Sequence, residues 1–420
     1  MQTTLADFII NTPDGDEAAA ILRACVHCGF CNATCPTYQL LGDELDGPRG
    51  RIYLIKQVLE GAPVTAKTQG HLDRCLTCRN CETTCPSGVR YSRLADIGRK
   101  VVEQRVARAP GQRLMRTLLG TTLPQRWLFT PAYRAGQLFR PLLSKPWQDK
   151  LRPMPPAGRW PHRSHARKML VLAGCAQPAL APNINAAAAR VLDACGVQLI
   201  VAPKAGCCGA LRYHLNQQAA GLDDMRRNID AWWPYLDGAG AVEAIVMTAS
   251  GCGVTVKEYG QLLAHDPAYA DKARRVAALT RDLSEVVPEF EAALVPRLAG
   301  GGHERTRIAY HPPCTLQHGQ QIRGKVEALL KAAGVDLQLC TDSHLCCGSA
   351  GTYSLLQPAL AQQLRDQKLG HLEATGAALI VSANVGCINH LQSGTQTPVR
   401  HWIEWLDHAL AAQPGPAPAP

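Results

Sequence analysis

Acidic residues are almost missing from one part of this sequence. From Arg105 to Lys168 there are fourteen Lys or Arg and a single acid, Asp149. The chain as a whole carries a formal net charge of +10, so the basicity is local and the remainder is slightly acidic. Aromatic residues are also scarce, at 5%, whereas Ala, Gly and Pro are plentiful, which suits tight α/β packing and many turns. No apolar run is long enough to span a bilayer. The longest stretch without a charge, Met169 to Ala189, is interrupted by Gln177, two prolines and two asparagines. The first residues, MQTTLADFIINTPDGDEAAA, have neither a basic start nor an apolar core, so no secretory signal is read there. A nucleotide-binding G-x-G-x-x-G after a strand is missing too: GAGAVEA (238–244) follows WWPYLD and lacks the third glycine, so it reads as a turn.

What is abundant is cysteine, at 18 in 420 residues. In a chain that is not exported these thiols are not expected to pair, because the cytosol keeps them reduced. Metal or redox chemistry is the expected use. Apolar residues reach 46%, enough to bury a core in each of two to four domains of roughly 100–200 residues.

Two runs carry the strongest signal, CVHCGFCNATCP (25–36) and CLTCRNCETTCP (75–86). Both are C-x2-C-x2-C-x3-C-P. A cubane iron–sulfur cluster needs four thiolates at the corners of a small tetrahedron. Three closely spaced cysteines wrap one face, and the fourth, held before proline, ligates the other cluster in two-cluster ferredoxins. The spacing assigns Cys25, Cys28, Cys31 and Cys85 to one [4Fe–4S] cluster and Cys75, Cys78, Cys81 and Cys35 to the other. Zinc sites pair C-x2-C units across longer gaps and do not fit. Helices are expected over 17–24, 50–60 and from Ser92 to Arg105, the second with Ile52, Ile55 and Leu59 on one face.

From Arg167 the texture becomes βα alternation. KMLVLAG (168–174), VQLIVAP (197–203) and EAIVMTA (243–249) read as strands and Asn185–Ala194 as a helix, implying a parallel sheet covered by helices. This pattern repeats with a period of 139 residues. Cys175 and Cys207-Cys208-Gly209 correspond to Cys314 and Cys346-Cys347-Gly348, and the halves close on Cys252 and Cys387. Loops at the C-terminal ends of parallel strands converge on one crevice, so Cys175, Cys207, Cys208 and Cys252, with Cys314, Cys346, Cys347 and Cys387, form a candidate further site. Cys195 and Cys340 have no counterpart in the other half and read as small buried hydrophobes. His214, His311 and His344 near these loops read as packed or solvated rather than as ligands.

The chain therefore divides into a small helical ferredoxin-like domain (1–105), a basic connector (106–166), two α/β repeats (167–295 and 296–410) and a disordered tail (411–420). The connector reads as short amphipathic pieces of uneven pattern, such as RLMRTLLG.

The N-terminal residues CVHCGFCNATCPTYQLLGDELDGPRGRIYLIKQVLEG and HLDRCLTCRNCETTCPSGVRY resemble the glycolate oxidase iron–sulfur subunit family. The CCG repeats resemble the cysteine-rich domain shared with heterodisulfide reductases and with the iron–sulfur subunit of anaerobic glycerol-3-phosphate dehydrogenase. The likeness covers essentially all residues except the connector and tail. Complete motifs in the reductases end in C-x2-C and hold a five-cysteine cluster; here Ala249 and Asn384 stand where the first cysteine of that pair would be. Four thiols per half leave three readings open: a further cluster, a scaffold that docks partners, or thiol–disulfide chemistry.

The resemblance implies a bacterial-type 2[4Fe–4S] ferredoxin domain followed by a duplicated CCG domain. It implies an electron-transfer subunit of a complex, with FAD on partner subunits that convert glycolate to glyoxylate, and with a quinone or another acceptor downstream. Lactate or glycerol 3-phosphate as donor, and thiol, disulfide or quinone reduction at the CCG cysteines, are the alternatives; no catalytic residue is assigned. Arg49 and Arg51 are either solvated or hold cluster charge. The expected location is the cytoplasm. The basic, Leu- and Trp-bearing connector suggests peripheral contact with the inner membrane, with a solvated linker or a face for an acidic partner as the other readings. No nucleic-acid fold accompanies the charge, so nucleic acid is not an expected partner.

Overall fold

The computed structural model describes residues 1–153, 155–238, 240–299 and 306–412, apart from the side chains of residues 146 and 147. The expected tail therefore lies, from residue 413 on, outside the described residues, as does residue 239 of the expected turn.

Three helices build the N-terminal core. Pro13–Ala24 starts with proline in its first turn, where no N–H bond is lost, and Thr12 Oγ1 accepts from Gly15 N at 3.1 Å. Pro48–Leu59 and Tyr91–Arg105 follow. All three expected helices are present, each starting one to four residues earlier than the periodicity gave. Leu22, Ile55, Leu59 and Leu94 meet in the middle with no exposure. Gly98 allows the last two helices to approach, since a Cβ there would stand 2.6 Å from Ile55 Cγ1. The short segments Phe30–Ala33 and Asn80–Thr84 carry the third cysteine of each run.

The connector differs from expectation. It folds into two helices of thirteen residues, Pro110–Thr122 and Arg126–Leu138, and a shorter one, Lys145–Lys150. Pro131 inside the second helix is what hid it from a periodicity reading. The first packs between the ferredoxin domain and the first repeat: Arg116 pairs with Asp73 at 3.0 Å, and Arg212 Nε donates to Gly120 O at 3.0 Å.

Each repeat is a four-stranded parallel sheet. Strands β1 (Arg167–Val171), β2 (Val197–Val201), β3 (Ile245–Met247) and β4 (Thr280–Asp282) lie in the order β2-β1-β3-β4. Strands β5 (Arg307–His311), β6 (Asp336–Leu339), β7 (Leu379–Ser382) and β8 (Val399–His401) lie in the order β6-β5-β7-β8. The duplication is thus complete in topology. The edge strands β4 and β8 were not foreseen, because three residues carry too little pattern. Both end on a helix cap: Asp282 and His401 each accept from the backbone two residues on, and Glu285 and Glu404 close the capping boxes.

The repeats share one core. Met169, Val171, Leu199 and Val246 on one face of the first sheet join Ile308, Tyr310, Leu337 and Ile380 of the second. The helices Asn183–Ala194 and Trp402–Ala411 bridge them, tied by Arg190 to Asp407 at 2.7 Å. The alternate residues of the first sheet, Leu170, Ile245 and Met247, pack on Trp232 and Tyr259 instead.

Candidate metal centre

All 18 cysteines are free thiols. The fold sorts the eight N-terminal ones across the two runs. Cys25, Cys28, Cys31 and Cys85 surround one small cavity, with Cys81 on its wall; Cys35, Cys75, Cys78 and Cys81 surround a second. The pre-proline cysteine of each run has crossed to the other's set because the helical segment after the third cysteine carries the chain away before Pro36 or Pro86. Burial, and then the neighbouring Cys25, push Cys31 up to about 11, with Cys85 and Cys28 acting in the same sense. Burial likewise raises Cys78 and Cys81, and Cys35 adds to both. Four thiols per set, free of disulfides and, Cys28 apart, buried or half-buried, are the donor set a four-thiolate iron–sulfur cluster requires.

Charge balance for the second set comes from two buried arginines. Burial pushes Cys75 up, but Arg51, Arg99 and the Thr77 N–H, 3.4 Å from its Sγ, outweigh this and hold it below the ordinary thiol value. Arg51 is only 1% exposed, so of its two readings the solvated one is excluded; it donates to Thr37 Oγ1 at 3.0 Å and His71 O at 2.8 Å and pairs with Asp46. Arg49 is instead half-exposed and paired with Glu44 at 2.6 Å. Arg99 was not singled out from sequence. It donates to Leu72 O, Cys75 O and Thr77 Oγ1, fixing the second cysteine loop. An expected helix over its position said nothing about the direction of its side chain.

The repeats gather their cysteines as the convergence argument requires, with one refinement. Cys252 and Cys387 sit within the helices Ser250–Lys257 and Val385–Gln392 that follow β3 and β7, one turn beyond the strand ends. In the first repeat, hydrogen bonds from Cys175 and Cys208 hold Cys207 well below the usual thiol range. In the second, Cys314 donates to Cys346 at 3.7 Å, and Asn384 Nδ2 donates to Cys387 Sγ at 3.4 Å. Asn384 Oδ1 also accepts from Gly251 N at 3.4 Å, joining the halves at the position where the motif lacks its cysteine.

The ferredoxin domain sits directly against this crevice. Cys78 lies close to Cys314 and Cys346: Cys314 helps raise the Cys78 thiol, and Cys78 helps raise that of Cys346, while Leu76 packs with Cys314, Cys346 and Tyr353. Tyr353 donates to Arg74 O at 3.1 Å, and Asn80 Nδ2 to His344 O at 3.3 Å. On the first repeat, Arg79 pairs with Glu258, and Arg93 donates to Tyr213 OH at 3.1 Å. Of the histidines, His311 is buried against Ser382 and His344 offers a carbonyl to Asn80 and His318; His214 faces Asp96 at 3.9 Å. Cys340 is buried, whereas Cys195 is half-buried at the end of its helix.

Between the repeats and the connector lies a cavity of about 700 Å³, which the sequence did not reveal. Seven of the eight CCG cysteines reach it; Cys347 does not.

The family described as "4Fe-4S dicluster domain" matches residues 21–89, and "Cysteine-rich domain" matches 169–257 and 308–392. The chain is 55% identical over 417 residues to the "Glycolate oxidase iron-sulfur subunit" of Escherichia coli (strain K12), covering 98% of this chain and 99% of that one. The chain belongs to the glycolate oxidase iron–sulfur subunit family. It is 29% identical to the "Probable glycolate oxidase iron-sulfur subunit" of Bacillus subtilis (strain 168), over 89% of each chain. It is 25% identical to "Lactate utilization protein A" of Shouchella clausii (strain KSM-K16), over 54% of this chain and 92% of that one. As a member of this family the protein is an iron–sulfur subunit of an oxidoreductase, with two [4Fe–4S] clusters in its dicluster domain. No described helix is long and apolar enough to cross a membrane.

Proposed function

We propose that this chain relays electrons from a partner flavoprotein that oxidises glycolate to glyoxylate toward a quinone or another acceptor. One observation carries the reading: the two four-cysteine sets lie in series, and the inner one adjoins the cysteine crevice of the repeats. Cys25, Cys28, Cys31 and Cys85 hold the outer cluster and Cys35, Cys75, Cys78 and Cys81 the inner one. When bound, such clusters accept and donate one electron at a time, which splits the pair that a hydride-accepting flavin receives. The chain's own residues fix the path. Arg99 and Arg51 anchor the inner loop and offset thiolate charge, while the Arg79–Glu258 and Arg93–Tyr213 contacts hold the ferredoxin domain on the first repeat.

The electrons enter on the outer side. Cys28 is exposed there, beside Val26 and Phe30, which are 69% and 63% exposed and offer apolar surface to the partner subunit. Substrate oxidation belongs to that partner, since this chain shows no nucleotide fingerprint of its own. Lactate as donor is the second reading, supported by the lactate-utilization relatives that match part of the chain. The CCG cysteines are a second candidate site, with Cys207 held well below the usual thiol range.

We place the chain in the cytoplasm, lying on the membrane through the connector. Leu114, Leu118, Trp127, Leu138 and Leu142 are exposed on its helices among Arg113, Arg126 and Arg134. Each basic residue near an anionic surface contributes about 1 kcal/mol. The pure chain should therefore sediment with anionic vesicles at low salt and be released at high salt; no low-salt binding would leave the connector as a protein-docking face.

The relay itself is tested by co-purification with its partner subunits followed by glycolate-dependent dye reduction. Removing this chain should abolish electron flow from glycolate to the physiological acceptor while the flavoproteins remain; unchanged flow refutes it.

A further inference from the structure

We propose that the cavity between the two repeats and the connector is the site at which this chain reduces a quinone carrying an apolar tail, which enters from the lipid between the connector helices. The proposal rests on the relay reading above and locates its acceptor.

Four observations converge. The cavity, about 700 Å³, is of the size that encloses a small organic ligand. Its outer wall is mainly apolar and comes largely from the connector, with Leu119, Leu123, Phe129, Tyr133 and Leu151 lining it together with Leu180 of the first repeat, and with Arg116 and Lys150 as its charged members. Its inner end is polar, where Asp96, His214, Tyr213 and Glu258 meet. The inner four-cysteine set opens on it through Cys75 and Cys78. A ligand with a polar ring and an apolar tail matches this gradient, head toward the cysteines and tail toward the connector.

The arginines in the walls argue for a neutral ligand. Arg116 pairs with Asp73, Arg79 with Glu82 and Glu258, and Arg99 is spent on backbone carbonyls. An anionic disulfide or a phosphorylated acceptor would have to break one of these pairings. The entrance argues for a lipid-soluble ligand. The helices that line the cavity with Leu119, Phe129 and Tyr133 turn Leu118, Trp127, Leu128 and Leu138 outward, at 52%, 74%, 36% and 76% exposure. One pair of helices thus presents an apolar outer face and an apolar inner wall.

The chemistry balances. The quinone takes two electrons, delivered singly from the inner cluster site and drawn ultimately from the 2-hydroxy acid, and two protons from water. Both carbonyl oxygens become hydroxyls. Asp96 and His214, 3.9 Å apart at the polar end, are the groups positioned to pass the protons. Burial raises Asp96 to about 6 against the opposing pull of Arg99 and Arg93, so this carboxyl exchanges protons near neutral pH.

The test uses the full chain with its clusters, reduced by dithionite and freed of excess reductant. Its reoxidation by decylubiquinone is compared with that by ferricyanide, a hydrophilic acceptor that needs no cavity. Leu180→Trp and, from the second repeat, Leu355→Trp each place an indole in the cavity. The quinone-to-ferricyanide rate ratio should fall at least roughly tenfold in both. A photoreactive azido-ubiquinone should label peptides within 119–136 or 172–180. Unchanged ratios in both variants, or labelling confined to other segments, overturn the proposal. Because dithionite bypasses the donor, failure of glycolate to reduce the chain through its partner would instead count against the relay reading and leave this one standing.

Discussion

Cys85 is the residue on which the two-cluster assignment turns. It lies ten residues after Cys75 in sequence, yet its thiol stands among Cys25, Cys28 and Cys31. Cys85→Ser should therefore perturb the spectrum of the outer cluster first, and Cys35→Ser the inner one. Electron paramagnetic resonance of the two reduced variants decides between this and ligation by the nearer run. Arg51 makes a different point at the same scale. A fully enclosed guanidinium paired with Asp46 stays charged because Cys35, Cys75 and Asp46 surround it. Breaking a buried pair on one side leaves the other charge uncompensated, at a cost of about 3–5 kcal/mol. Here Arg74 and His71 still bond Asp46 at 2.8 and 3.1 Å, so Arg51→Met should sit at the low end, about 3 kcal/mol by urea denaturation. It should also lower the inner cluster's midpoint potential by removing a positive neighbour.

At the scale of elements, the third letter of each CCG motif has a steric reason. Gly209 and Gly348 have φ of +90° and +86°, and a Cβ on either would stand 2.6 Å from a carbonyl oxygen of the packed helix, Gly221 O or Ala361 O. These glycines let the chain leave the paired cysteines and pass close under the helices Gln218–Trp232 and Pro358–Glu373. Left-handed backbone strain for a non-glycine residue costs about 1–3 kcal/mol, and the clash adds to it. Gly209→Ala and Gly348→Ala should each destabilise the chain by at least that amount. Each should also spread the thiols of its own repeat, read as faster alkylation of Cys207 or Cys346 with the other repeat unaffected. The same loops were legible in sequence as a repeat; that a carbonyl presses on the glycine was not, because the helix doing so starts nine or more residues later.

At the scale of the molecule, the second repeat buries four neutral histidines, His311, His318, His390 and His401, and two of them are pushed furthest. Burial pushes His311 to about 3, with Lys368 acting in the same sense, and pushes His401 to about 3. A base with a depressed folded pKa is protonated first in the unfolded chain, so its contribution is complete above about pH 6.5 and is lost as pH falls from there toward 3. Each costs about 1.4 kcal/mol per pH unit in that window. Asp282, raised by burial to about 6, works in the opposite direction below that pH. The histidine contribution is therefore read as a difference. The loss of stability between pH 6.5 and 5.5, from urea midpoints, should be about 1 kcal/mol smaller in His311→Gln than in the parent chain, because the unfolded imidazole is already half-protonated at pH 6.5. Equal losses in the two would show that His311 does not titrate on unfolding.

Spacing alone determined the two ferredoxin runs, the duplication at 139 residues and the central strands, because metal ligation by a short loop and the periods of strands and helices are local properties written in consecutive residues. Tertiary structure decided what depends on residues far apart meeting. It set Arg99 on the second cysteine loop, Cys78 beside Cys314 and Cys346, and the unforeseen helices of the connector over the crevice between the repeats. A side chain's direction, a cavity's walls and a three-residue edge strand are fixed by packing against distant segments, and no window of sequence contains both partners of such a contact.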